Sequence, residues 1–138
     1  MKTALAFLSL LILLAPLGHA EEAPKAEPAQ FDKYWMVFLV RLDSPKDYGE
    51  DRNAELQREH LAHLTWLWEE GYALIAGPFG GKPEDAMRGI VLLRGNLEES
   101  RARELAEMDP RVKAGQLEVE IRDWYTGAGY MVFPKTPE

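Results

Sequence analysis

The stretch Tyr34–Arg41, YWMVFLVR, constrains this chain most. Every side chain but the last is apolar or aromatic, so neither side is wet, and the segment reads as a central strand buried on both faces. The segments around it decide the architecture. Asp43–Asp51 carries Pro45, Gly49 and a cluster of charges and reads as a loop. Arg52–Glu70 reads as a helix whose stripe is Gln57, His60, Leu61, Leu64, Leu67 and Trp68, with Gly71 as the stop. Tyr72–Ala76 is a short strand ended by Gly77-Pro78, Phe79–Asp85 a glycine-bearing loop, and Arg88–Arg94 a third strand. Asn96 with Glu99 has the spacing of a capping box for a second helix, Leu97–Met108. Asp109-Pro110 closes that helix, because a residue before proline avoids helical dihedrals. Leu117–Arg122 alternates Leu, Glu, Val, Glu, Ile, Arg, the period of a strand with one wet face.

The order β-α-β-β-α-β predicts an α+β fold of the ferredoxin-like type, with two helices on one face of an antiparallel sheet. There is no cysteine, so packing alone must stabilise it. The other sheet face then carries apolar side chains that need a cover. A twofold homodimer with the sheets face to face is the simplest one; a tail folded over that face is the alternative.

The chain divides into four parts. Met1–Ala20 has an early lysine, an apolar run and small residues at Gly18 and Ala20, the pattern of a cleaved signal peptide, with an apolar run too short for a membrane span. Glu21–Gln30 is a polar, proline-containing linker; Phe31–Thr126 is the folded domain; Gly127–Glu138 is a tail whose Tyr130–Phe133 is apolar enough to add an edge strand or cross to a partner. Export without cysteine points to a bacterial periplasm. The net charge of −7 argues against nucleic acid as a partner and, once the signal is removed, against an anionic membrane.

The expected topology sends distant residues to one end of the sheet. With Leu64 as the centre of the helix stripe, His60 falls about 40° off it and His63 about 100° off, so His60 faces inward and His63 lies at the margin. Asp109, taken as the last residue of the second helix and four after Leu105, faces the same end. A carboxylate on one ring nitrogen fixes the tautomer and leaves the other nitrogen free to move a proton. The plainer alternative is a satisfied core histidine and an ordinary helix terminator.

Other chemistries find less support. Ser44 and Ser100 are the only serines after Ala20, and Ser44 lacks nucleophile-elbow glycines. His60 and His63 have no further His or Cys to complete a metal site, so no metal is expected. Phe79-Gly80-Gly81-Lys82 is too short for a phosphate loop and reads as a flexible turn beside the site. Trp66 points off the stripe toward an interface, Trp35 and Trp68 into the core, and the Glu98–Glu107 charges into solvent.

Two blocks carry a family resemblance. His60-Leu61-Ala62-His63-Leu64, Leu67 and Gly71, leading into Leu74-Ile75-Ala76-Gly77-Pro78, form the first; Asp109-Pro110, Val112 and Ala114-Gly115, leading into Leu117-Glu118-Val119-Glu120-Ile121, form the second. Together, over about residues 34 to 124, they resemble the YciI-like (YCII-related) proteins. The resemblance implies a dimeric α/β-barrel and an active site of one histidine and one aspartate, falling here on His60 and Asp109. Gln57-Arg58-Glu59 stands where many relatives have Arg-Pro, and the signal peptide and the tail are additions.

The resulting expectation is a secreted homodimer with a small-molecule pocket. His60 is the general acid or base and Asp109 its orienting partner, with Gly77 and Pro78 shaping the floor, in an isomerase, lyase or hydrolase type of reaction without a cofactor. The alternative is a non-catalytic ligand-binding or protein-interaction module on the same fold.

Overall fold

A computed structural model of the chain describes residues 29–134. The expected signal peptide, all but the last two residues of the expected linker, and residues 135–138 of the tail lie outside the described residues. The elements are β1 (Phe31–Arg41), α1 (Glu50–Glu69), β2 (Ala73–Pro78), β3 (Met87–Arg94), α2 (Glu99–Glu107), the short helix α3 (Pro110–Lys113) and β4 (Leu117–Gly127). The strands form one sheet in the order β2-β3-β1-β4, every neighbouring pair antiparallel. This is the ferredoxin-like α+β fold.

The doubly apolar β1 lies in the middle of the sheet. One face of it, Trp35, Val37 and Leu39, joins Leu67, Val91, Leu93, Leu105, Leu117 and Ile121 in the main core beneath the helices. Trp35 is fixed there by donating its indole N–H to the Leu97 carbonyl at 2.9 Å. On the opposite face, Tyr34, Leu74 and Leu92 form a smaller cluster with Met36, Trp124 and Phe133. Gly71 ends α1 as expected: its φ of 74° allows a Schellman closure in which Tyr72 N–H donates to Leu67 O at 2.9 Å and Gly71 N–H to Trp68 O at 3.0 Å. No helix among the described residues is long and apolar enough to cross a membrane.

Several local expectations are corrected. The buried residues of α1 are Leu56, His60 and Leu67, while Leu61 is 52% exposed and Trp68 only half-buried. The inward arc thus centres near Leu67, about 60° around the helix from Leu64. α1 packs on α3 and β2, and His63 reaches the Leu105 carbonyl of α2. Trp66 is half-buried between His63 and Tyr72. The Asn96–Glu99 box does not form, since α2 starts at Glu99 with Glu98 as its N-cap and no side-chain cap bond. Asp109 is not the end of α2 but the N-cap of α3. The Tyr130–Phe133 stretch adds no strand; β4 already pairs with β1 from Leu117 to Gly127, and Phe133 folds back edge-on to Tyr34, ring centroids 5.7 Å apart.

Candidate active site

His60 and Asp109, 49 residues apart, meet beneath α1. Nδ1 of His60 lies 2.5 Å from Oδ2 of Asp109, with His60 8% and Asp109 1% exposed. The other carboxylate oxygen, Oδ1, accepts from the backbone N–H of Arg111 at 2.8 Å, the N-cap bond of α3. One buried carboxylate thus orients the imidazole and starts the turn that follows it. Because the carboxylate accepts, Nδ1 carries a proton, and in an imidazole so bonded the nitrogen left to act as acceptor is Nε2. No described residue bonds Nε2, and every fully buried side-chain nitrogen or oxygen among the described residues has a partner. Nε2 is therefore open.

It opens on a cavity of about 260 Å³ between α1 and the sheet. Gln57, His60, Leu61 and Leu64 of α1 form one wall, and Ala76, Gly77 and Pro78 of β2 with Arg88, Gly89 and Ile90 of β3 form the floor. Leu39, Arg111 and Leu117 complete the lining. The cavity therefore brings together His60, Gly77 and Pro78. Asp109 does not line it, but stands behind the ring beside a narrow apolar gap shared with Val37, His63 and Leu67.

Glycine shapes the floor. A Cβ on Gly89 would lie 2.6 Å from the Gly77 carbonyl oxygen, so β2 and β3 approach here only because Gly89 has no side chain. A Cβ on Gly77 would meet nothing within 4 Å.

Three polar lining residues have no counterpart in the expected site: Arg88, Arg111 and Gln57. Arg88 is the unpaired residue of a β-bulge, since Leu39 pairs with Gly89 and Val40 with Met87. A bulge re-aims the side chain it carries, and this one lines the cavity. Its Nη1 donates to the carbonyls of Lys82 and Pro83 at 2.9 and 3.3 Å, which ties the Phe79–Asp85 loop to the site. Arg111 donates from Nη1 to Gln57 Oε1 at 2.7 Å and from Nε to Gln116 Oε1 at 3.0 Å. Gln116 in turn donates to Asn53 Oδ1 at 2.8 Å and to Lys46 O at 3.1 Å. Burial pulls the Arg111 guanidinium below its ordinary value; Asp109 opposes this and the like charge of Arg88 adds to it. The sequence signals were faint: a cation opening an apolar strand, and a cation two residues after a capping aspartate.

His63 serves another purpose. Its Nε2 lies 3.0 Å from the Leu105 carbonyl, which can only accept, so Nε2 carries the proton and ties α1 to α2. Burial lowers its imidazole from the ordinary value, against a smaller upward pull from Asp109. Ser44 and Ser100 are exposed, and neither lines the cavity. No three His, Asp or Glu side chains among the described residues converge to hold a metal ion.

No protein-family model matches the sequence, and no curated protein matches it. Among solved structures, the chain is similar to 5-chloro-2-hydroxyhydroquinone dehydrochlorinase from Burkholderia phenoliruptrix AC1100, in complex with 2,5-dihydroxybenzoquinone. The two are 16% identical with a TM-score of 0.47, over 66% of this chain and 92% of that one. No residue role follows from that likeness.

Proposed function

We propose that this protein is a periplasmic, YciI-like enzyme of the dimeric α/β-barrel type that moves a proton on a small molecule bound at His60. One observation carries the reading: the His60 imidazole has Asp109 on Nδ1 and an unpartnered Nε2 at a cavity of about 260 Å³. In this role Nε2 takes a proton from a carbon or oxygen of the ligand. The imidazolium that forms is stabilised by the Asp109 carboxylate, and the proton returns to another atom of the same molecule or of a leaving group. No electrons change hands, so isomerisation and elimination suit it, and so does hydrolysis when Nε2 takes the proton from an attacking water and returns it to the leaving group. Gly77 and Pro78 present bare backbone to the ligand. The two sequence blocks around His60 and Asp109 support the family, the pattern of residues 1–20 supports export, and the apolar side chains Met36, Phe38 and Ile90 on the helix-free sheet face support a homodimer.

Nitrogen-15 NMR of the imidazoles, paired with deuterium uptake by cyclic ketones and lactones in D₂O, tests the chemistry. The expected spectrum shows His60 protonated at Nδ1 and bare at Nε2. The expected exchange at carbon next to the carbonyl is at least about tenfold faster than with His60→Gln, the low end of what a positioned base contributes. A proton resident on Nε2, or equal exchange with both proteins across the panel, overturns catalysis and leaves a binding module.

A further inference from the structure

The His60 cavity holds more positive charge than its chemistry as an acid–base site requires. Arg52, Arg101, Arg103 and Arg122 each pair with a glutamate. Among the described residues, neither Arg88 nor Arg111 has a carboxylate within ion-pair distance, as is also true of Arg41, Arg58 and Arg94. Both line the cavity. Arg111 is held from behind by two neutral amide oxygens, of Gln57 and Gln116, which fix the guanidinium without cancelling its charge and leave Nη2 without a protein partner. Arg88 is delivered to the same cavity by the bulge and anchored through Nη1 to two loop carbonyls. Holding two like charges at one half-buried cavity costs free energy that a bound anion would offset. The rest of the lining includes the apolar side chains of Leu39, Leu61, Leu64 and Leu117.

We propose that the site takes a small organic carboxylate, its anionic group held by Arg88 and Arg111 and its hydrocarbon or ring portion laid against the leucines below His60. This rests on the reading of the His60 cavity as the ligand site. Arginine suits the role because its fork presents paired N–H donors to both oxygens of a carboxylate. The clamp also explains how the site is built: Asp109, which orients the base, caps the turn that carries Arg111, so base and anion anchor are set by one three-residue unit.

The test is a titration of the full chain with benzoate and with benzamide, its neutral isostere, followed through the His60 ring nitrogen signals and by calorimetry. Benzoate is expected to bind at least tenfold more tightly than benzamide, to shift the His60 Nε2 signal and to weaken as salt rises. Arg111→Gln and Arg88→Gln are each expected to weaken benzoate at least fivefold and to leave benzamide unchanged. Equal binding of both probes with a His60 shift overturns the anion clamp and leaves the ligand site standing. Benzoate binding that leaves His60 unmoved, or no binding of either probe at 50 mM (roughly the −2 kcal/mol range), overturns the clamp at this site. A proton resident on Nε2 overturns the catalytic reading alone.

Discussion

His60 and His63 sit less than one turn apart on α1, both drawn out of water, yet the two surroundings have opposite chemistry. His60 backs onto a carboxylate and leaves its other nitrogen open to a cavity. His63 gives its proton to a backbone carbonyl of α2 and stacks on Trp66, ring centroids 5.7 Å apart. Burial does not separate a working imidazole from a structural one. What separates them is which group takes the bonded nitrogen and whether the other nitrogen has anywhere to go.

The largest blow to this contrast is Asp109→Ala. It removes the charged partner of His60 and the cap of α3 together, and about 3 kcal/mol of stability should go with them, read by urea denaturation. Asp109→Asn should cost clearly less, because an amide oxygen can still accept from the Arg111 N–H. His63→Ala should cost about 1–2 kcal/mol through the lost tie to Leu105 and the lost stack, while benzoate binding at His60 stays within twofold. The same residue sets a pH dependence. Its imidazole is held low in the fold, so the unfolded chain binds the proton first as pH falls. Stability should be full above about pH 7 and decline below about pH 6.5, by less than about 1.4 kcal/mol per pH unit. In His63→Gln this part of the profile should flatten, as followed by thermal melts. The smallest effect on the fold belongs to Gly77→Ala: with nothing within 4 Å of the added methyl, stability should change by no more than about 0.5 kcal/mol. Benzoate affinity should stay within about twofold, because Gly77 pairs with Ile90 and the added methyl shares the helix-free side of the sheet.

The order of elements was legible because hydrophobic period is a local property: Tyr34–Arg41 has no wet side, and Leu117–Arg122 has one. His60 and Asp109 were legible as a pair because topology, once granted, fixes which ends coincide. The rotation of α1 was not, since it depends on α2 offering the Leu105 carbonyl to His63, a contact 42 residues away in sequence. Nor was the capping role of Asp109. The same rule that stops a helix before proline also allows the aspartate to begin a new turn, and only the chain that follows decides between them. Arg88 was hidden for a third reason. In a regular strand its side chain would share the side of Val40, and one extra residue in register redirects it.

The seat of Phe133 on Tyr34 bears on self-association. A tethered segment competes for its own docking place at an effective concentration on the order of millimolar. A second copy approaching the helix-free face would meet an aromatic ring already parked at one end of it, against Tyr34, Trp124 and Leu74. The tendency to pair would then measure a difference between two fits rather than the stickiness of a bare sheet, and clipping the last residues would strengthen or weaken it according to which fit is better.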